Sequence, residues 1–108
     1  MDMVKQYEIY WIDLNPTQGS EINKVRPCVV ISPDVSNEFL NTVIIAPLTS
    51  TLRNFPMRVN IQLMNKNGQI ALDQIRCVDK SRLSNKAGIL SPPEIKMLKR
   101  ILKEYLVD

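Results

Sequence analysis

The feature that most constrains the fold is a change in hydrophobic period along the chain. From Met57 to Leu63 every second residue is apolar, a period of two that is typical of a half-buried strand. After Ser91 the apolar residues instead recur at helical spacing: Ile95, Leu98, Ile101, Leu102, Tyr105 and Leu106. The sequence therefore predicts a β-rich body followed by one amphipathic helix.

Four further segments carry strand signals. They are Tyr7 to Leu14, Val25 to Ser32, Thr42 to Leu48 and Gln69 to Cys77. Pro27 has no backbone N–H to donate, so we expect it at a sheet edge or a bulge. The segment from residue 42 to residue 48 is nearly all apolar, and we expect it to be buried on both faces.

The connecting segments have their own signals. Asn67-Gly68 suits a tight hairpin turn, because both residue types tolerate positive φ. Val35 to Asn41 is interpreted as a loop with room for one helical turn, and Thr49 to Pro56 as a mobile polar loop. The run Ser91-Pro92-Pro93-Glu94 predicts a capped helix start, with the helix extending to about Val107.

Five short strands and one helix predict a mainly β domain with a C-terminal α-helix. We expect a small, partly open antiparallel barrel capped by that helix, in a single domain over residues 1–108. No apolar run is long enough to cross a bilayer, and the N-terminus lacks a signal-peptide pattern. We therefore expect a cytoplasmic protein without membrane attachment.

Composition restricts the chemistry. The chain has no histidine, which excludes a histidine general base and a histidine-ligated metal. Cys28 and Cys77 form no CxxC pair, so we expect two small buried hydrophobes rather than a zinc site or a disulfide. The net charge of +3 is compatible with a phosphate-bearing partner and equally with a solvated basic surface.

Three residues at strand–loop junctions could form a phosphodiesterase site. The Arg26 guanidinium could stabilise charge on a phosphorane, and the Thr49 hydroxyl could orient a phosphate oxygen. The Glu21 carboxylate could act as general base toward an RNA 2′-hydroxyl. From residue types alone, ordinary roles are favoured: a solvated loop acid, a surface cation and a strand end.

A second group lies between residues 53 and 76. Asp73 is expected to form a salt bridge with Arg76 or with a neighbouring strand. Gln74 and Arg76 are two apart in the predicted strand, so they would share a face that either contacts RNA or is simply exposed. Phe55, beside Arg53, could stack on an unpaired base or anchor its loop against the core.

Several segments in order resemble the MazF/PemK/Kid family of bacterial type II toxins. They read YEIYWIDLNPTQGSE, KVRPCVVIS, NTVIIAPLTS, GQIALDQIR and VDKSRL. The resemblance runs from about Tyr7 to the C-terminal helix. It implies an SH3-like barrel, a homodimer, and a sequence-specific endoribonuclease that cuts single-stranded RNA, chiefly mRNA, without metal or other cofactor. The products would carry a 2′,3′-cyclic phosphate and a 5′-hydroxyl.

The resemblance also implies site residues and partners. Arg26, Thr49 and Glu21 match the family's catalytic positions. The predicted RNA-binding residues are Ser20, Lys24, Ser50, Arg53, Phe55, Gln74 and Arg76. A MazE-like antitoxin with a flexible, often acidic tail would block the RNA groove, and operator DNA would be bound only through the toxin–antitoxin complex.

Two departures from the family pattern concern the site. Many relatives have a glycine just before the RP motif, where this chain has Ile22-Asn23-Lys24-Val25, and we expect Asn23 to adopt positive φ instead. Without histidine, proton transfer falls to Glu21, Arg26 or water. Two alternatives stay open: a gyrase-poisoning toxin of the CcdB type, and a non-catalytic SH3-like binding module.

Overall fold

The computed structural model describes residues 3–22 and 24–108. In these residues there are seven strands: β1 (Glu8–Asp13), β2 (Val25–Val30), β3 (Thr42–Thr49), β4 (Arg58–Leu63), β5 (Lys66–Ala71), β6 (Arg76–Asp79) and β7 (Leu83–Ile89). There are two α-helices, α1 (Asp34–Phe39) and α2 (Pro92–Leu106). The prediction of a mainly β fold with a C-terminal helix is confirmed, but β7 was missed.

The strands form one antiparallel sheet in the order β4-β5-β3-β2-β1-β7, with β6 also paired to β3. The first half of β3 pairs with β6, from Thr42 opposite Asp79 to Ile45 opposite Arg76. Its last two residues, Leu48 and Thr49, pair with β5. The sheet therefore changes partner along β3 and curls into the predicted partly open barrel.

The segment predicted as one strand from Gln69 to Cys77 is two strands. A single 3₁₀ turn at Leu72–Gln74 separates β5 from β6, and the Leu72 side chain is completely buried. Burying Leu72 at the bend allows both strands to pair with different parts of β3. The prediction of a continuous strand was wrong because the pattern of alternation does not reveal where a strand changes direction.

The hairpin turn between β4 and β5 also differs from the prediction. Met64 and Asn65 have φ values of +50° and +62°, and they connect the paired residues Leu63 and Lys66. The predicted turn residue Gly68 lies instead inside β5. A Cβ there would come within 3.2 Å of the backbone carbonyl oxygen of Thr49. The glycine therefore permits a close approach between strands.

One end of β3 is less buried than predicted. Residues 45–49 are buried, but Ile44 is 42% exposed. Cys77 lies directly opposite Ile44 and is exposed as well, so the prediction that both cysteines are buried was wrong for Cys77. Cys28 is buried, and this burial raises the pKa of its thiol to about 12. The face of a strand that a cysteine occupies depends on pairing, which the sequence alone does not show.

Two local predictions are confirmed. Pro27 pairs with Trp11 of β1 and precedes the stretch of β2 that pairs with β3, so it occupies an edge position. At the start of α2, the Ser91 Oγ accepts from the Glu94 N–H at 3.4 Å, and Glu94 Oε1 accepts from the Ser91 N–H at 2.8 Å.

Within the described ranges, no helix has the length and apolar character needed to cross a membrane.

Helix α2 closes one end of the barrel. Its buried residues Leu98 and Ile101 join a core that includes Ile9, Leu48 and Val59 from three different strands. The loops after β1 and β3 come together where residues of both line one cleft. The ends of β2 and β3 that meet these loops hold the polar residues considered next.

Candidate functional site

Residues from four separate segments, the last of them strand β4 with Arg58, line one open cleft of about 290 Å³. The loop after β1 contributes Ser20, Glu21 and Ile22, strand β2 contributes Arg26, and the end of β3 with its following loop contributes Thr49, Thr51 and Arg53; Arg58 completes the lining. The structure therefore brings together the three predicted catalytic residues. It also places two predicted RNA-binding residues, Ser20 and Arg53, in the same cleft.

A second cleft of about 240 Å³ adjoins the first. It is mostly apolar and is lined by Trp11, Arg26, Pro27, Leu48, Thr49, Ser50, Ile61, Leu63, Met64, Lys66, Asn67 and Gly68. Arg26 and Thr49 line both clefts. These two side chains therefore stand where the clefts meet, and an extended ligand could contact both while occupying each side.

The position of Thr49 is set by its neighbours. It is the last residue of β3, pairs with Gln69 of β5 and is 8% exposed. Its Oγ1 accepts a hydrogen bond from the Thr51 N–H at 3.1 Å. This bond uses one of the two lone pairs of the hydroxyl oxygen, so the hydroxyl hydrogen remains able to donate to a group in the cleft.

Glu21 is exposed and takes part in the turn that carries it. Its N–H donates to the Gln18 carbonyl at 3.1 Å, and its Oε1 accepts from the Gln18 N–H at 2.5 Å. Gly19, within this turn, has a φ of +57°. One carboxylate oxygen thus orders the loop that carries Glu21.

The loop without the family glycine achieves positive φ at Lys24, which has a φ of +70°. The prediction for Asn23 lies outside the described residues. The Lys24 N–H donates to Asn15 Oδ1 at 3.2 Å, and its carbonyl accepts from the Leu14 N–H at 3.1 Å. These bonds hold a non-glycine residue in the left-handed region, because both of its backbone groups are paired there.

Gln74 and Arg76 lie on a third cleft of about 230 Å³, whose lining also includes Glu21, Ile22, Pro47, Asp73 and Ile75. Gln74 is in the 3₁₀ turn and Arg76 begins β6, so the prediction that they share one strand face was wrong. Their side chains instead secure the β1–β2 region: Gln74 Oε1 accepts from the Ile22 N–H at 3.2 Å, and Arg76 Nη1 donates to the Leu14 carbonyl at 3.1 Å.

Arg58 was not singled out by the sequence. Its Nε lies 2.7 Å from Asp73 Oδ1, and its Nη2 donates to Oδ2 at 3.1 Å. The prediction that Asp73 pairs with a neighbouring strand is therefore confirmed, and the alternative that it pairs with Arg76 is wrong. Burial alone would raise the pKa of Asp73, but the Arg58 hydrogen bonds and charge, the Asp73 backbone N–H and the Gln74 side chain together lower the pKa below its ordinary value. No local signal links residues 15 positions apart.

The remaining predicted contact residues lie at the margins of these clefts. The Phe55 ring is 48% exposed, with the Arg58 guanidinium 5.3 Å from its centroid, so one face has a cation–π contact. Ser50 is exposed and lines the second cleft. Lys24 is exposed immediately before β2. In the part of the chain that the structure describes, no three acidic, cysteine or histidine side chains are grouped to hold a metal ion.

Comparisons with known proteins identify the family of this chain. Residues 5–106 match the family model described as PemK-like, MazF-like toxin of type II toxin–antitoxin system. A curated relative, Endoribonuclease MazF of Staphylococcus saprophyticus, is 34% identical over 100 residues that cover 87% of this chain and 83% of the relative.

Solved structures show the same fold. MazF from Deinococcus radiodurans has a TM-score of 0.85 at 21% identity, covering 98% of each chain. An endoribonuclease in complex with its cognate antitoxin, from a mycobacterial species, has a TM-score of 0.80 at 20% identity, covering 98% of this chain and 95% of that one.

The match to the family model spans most of the chain, and the curated relative agrees with it over nearly the same length. The resemblance inferred from the sequence is thereby confirmed, and the chain belongs to the PemK-like, MazF-like toxins of type II toxin–antitoxin systems.

Proposed function

We propose that this chain is an endoribonuclease toxin that cuts single-stranded RNA, chiefly mRNA, at specific sequences and without a metal ion. The observation that carries this proposal is the position of Arg26 and Thr49, which line both adjoining clefts. A phosphate held between the clefts would contact both side chains, while the flanking nucleotides extend to either side. The curated relative is itself named an endoribonuclease.

The chemistry follows from these groups. The RNA 2′-oxygen loses its proton and attacks the adjacent phosphorus as the bond to the 5′-oxygen breaks. The departing 5′-oxygen takes a proton from Arg26 or water, which leaves a 2′,3′-cyclic phosphate and a 5′-hydroxyl. Arg26 would donate two hydrogen bonds to the equatorial oxygens, where negative charge develops. The Thr49 hydroxyl hydrogen would fix one of those oxygens, since its Oγ1 already accepts from the Thr51 N–H.

Glu21 has two roles in this proposal. Oε1 orders the loop through the Gln18 N–H, and the second oxygen is available to take the 2′-hydroxyl proton. Gln74 and Arg76 hold the neighbouring backbone through Ile22 and Leu14. The proposed RNA contacts beyond the catalytic groups are Ser20, Lys24, Ser50, Arg53, Phe55, Gln74 and Arg76.

The partners follow from the family. MazE–MazF complexes are known for Deinococcus radiodurans, and a mycobacterial endoribonuclease is known with its cognate antitoxin. We infer a MazE-like antitoxin here, whose acidic tail would pair with Arg26 and Arg53 and so block the cleft. The toxin would act in the cytoplasm as a homodimer, with residues 1–108 as its single domain. It would reach operator DNA only through the antitoxin complex.

The experiment uses purified protein, a long single-stranded RNA and excess EDTA, with mapping of fragment ends and of their end chemistry. Arg26→Ala should abolish cleavage while leaving the circular dichroism spectrum and melting temperature nearly unchanged. The matched control is Arg100→Ala, because Arg100 is an exposed arginine on α2 whose contacts are with Met97 and Glu104 of the same helix. This variant should cut as the wild type does.

Two results would contradict the proposal. If several RNA substrates stay intact while the protein is shown to be folded, the proposal of endoribonuclease activity is refuted. If Arg26→Ala cleaves RNA as fully as the wild type, the proposed location of the active site is refuted. The gyrase-poisoning alternative is not favoured by the relatives found, and inhibition of purified gyrase by added protein would be needed to revive it.

A further inference from the structure

Gln69 is a buried polar residue in a position where a strand would ordinarily place an apolar one. It lies in β5, is 6% exposed, and its chain neighbour Ile70 is completely buried. Fixing a glutamine side chain costs rotamer freedom, and the amide adds little apolar burial. A stable strand alone does not require a glutamine here, so its contacts must explain it.

Every hydrogen-bonding group of the Gln69 amide is used. Oε1 accepts from the Arg53 N–H at 3.0 Å, and Nε2 donates to the Arg53 carbonyl at 2.9 Å and to Asn60 Oδ1 at 2.9 Å. Two of the three bonds therefore bind both backbone groups of a single residue, which lies 16 positions earlier in the loop after β3. An amide that pairs with both backbone groups in this way substitutes for a strand partner.

The residue held in this way faces the proposed RNA cleft. Arg53 is exposed and lines the cleft of Arg26 and Thr49. Among the residues that the structure describes, none pairs with the Arg53 guanidinium. Gln69 also lies opposite Thr49 in the β3–β5 register, so the residue that fixes Arg53 is built on the strand that supports the catalytic threonine.

We propose that Gln69 is a positioning residue that holds Arg53 at the cleft, where the Arg53 guanidinium binds an RNA phosphate next to the scissile one. This inference rests on the proposed function. Gln69 does not touch RNA; it acts by keeping the loop closed on the sheet. The position of the Arg53 backbone relative to Thr49 is then set by strand β5 rather than by the polar loop alone.

The test compares steady-state cleavage of a short single-stranded RNA by four proteins: wild type, Gln69→Leu, Arg53→Ala and the double variant. We expect Gln69→Leu and Arg53→Ala each to raise KM by roughly tenfold, with kcat changed less than twofold, as for one lost charge-assisted contact. The double variant should be no worse than Arg53→Ala alone, because Gln69 acts only through Arg53. In each single variant, the slope of log binding constant against log salt concentration should become shallower by about 0.7 relative to wild type, the value for one phosphate contact on a single strand.

Two controls separate positioning from general stability. Gln62→Leu changes an exposed glutamine in the adjacent strand β4, and it should leave KM unchanged. Hydrogen exchange at the Arg53 amide reports on loop closure in the absence of RNA, and it should accelerate in Gln69→Leu. If Gln69→Leu does not fold, Gln69→Val, whose β-branched side chain suits a strand, takes its place.

The outcomes distinguish this inference from the proposed function. If the wild-type protein cuts no RNA, the proposed function is refuted and with it the RNA contact of Arg53. If hydrogen exchange at the Arg53 amide is unchanged in Gln69→Leu, the positioning role of Gln69 is refuted. If the wild type cuts RNA, the inference is overturned by an unchanged KM in either single variant. It is overturned equally by a further rise in KM when Gln69→Leu is added to Arg53→Ala.

Discussion

Replacing Asp73 by alanine should destabilise the protein by about 2 to 3 kcal/mol. Asp73 receives two charge-assisted hydrogen bonds from Arg58, with side chains that are 24% and 10% exposed respectively. Breaking a fully buried pair by removing one partner costs about 3 to 5 kcal/mol, because the other charge stays buried. The partial exposure of Asp73 admits water that offsets some of this cost. For a chain of this size the melting temperature should fall by about 10 °C.

Urea denaturation and calorimetry measure this loss. The matched control is Glu104→Ala, which removes an exposed pair in α2 at 3.9 Å and should cost less than about 0.5 kcal/mol. Adding Arg58→Met to Asp73→Ala should recover part of the stability, because the unpaired cation is then gone. A double variant less stable than Asp73→Ala would show that the cost arises from lost packing instead.

The same pair predicts how the loss depends on pH. Burial favours the protonated carboxyl, but the Arg58 hydrogen bonds and charge, together with the Asp73 backbone N–H and the Gln74 side chain, hold the pKa of Asp73 below its ordinary value of 3.8. A lowered pKa in the folded protein contributes stability that is complete above the unfolded value and is lost as the pH falls through the folded value. The difference in free energy of unfolding between wild type and Asp73→Ala should therefore be constant from neutral pH to about pH 5 and shrink below about pH 4. A difference that is the same at low and neutral pH would refute this reasoning.

Three further predictions concern backbone packing, capping and thiol exposure. Gly68→Ala should lower the free energy of unfolding by about 1 kcal/mol and lower kcat for RNA cleavage, because the new Cβ would lie 3.2 Å from the Thr49 carbonyl oxygen. An unchanged melting temperature and unchanged kinetics would contradict this prediction. Ser91→Ala should cost about 1 kcal/mol in chemical denaturation, through loss of the capping box of α2. At neutral pH a thiol reagent should label Cys77 alone in the folded protein and both cysteines after unfolding, because burial raises the pKa of Cys28 to about 12; rapid labelling of two thiols without denaturant would contradict this.

Local sequence signals were sufficient where structure depends on nearby residues. The start of α2 at Ser91 and Pro92 was predicted from capping chemistry that acts within one turn. Strand β4 was predicted because its alternation places Val59 and Ile61 in the core. Strand β7 escaped prediction because its segment is rich in small and polar residues and is placed by pairing with β1.

The candidate site shows the same division. Residue types at strand ends suggested Glu21, Arg26 and Thr49, and the family resemblance assigned them a common role. Sequence patterns did not reveal the pairing of Arg58 with Asp73 or the bonds from Gln69 to the Arg53 backbone. These contacts join residues at least 15 positions apart through a hairpin and a 3₁₀ turn whose places the sequence did not predict.

Local signals in the sequence were enough to predict the class of fold and the capped helix, and composition defined the groups available for chemistry without histidine. Tertiary structure alone decided where the chain turns, at Met64 and Asn65 and again at Leu72–Gln74, and therefore which side chains meet. The physical reason is that periodicity and capping act over one or two turns of chain. The register between strands is instead set by the packing of the whole core and by close approaches such as that of Gly68 to Thr49.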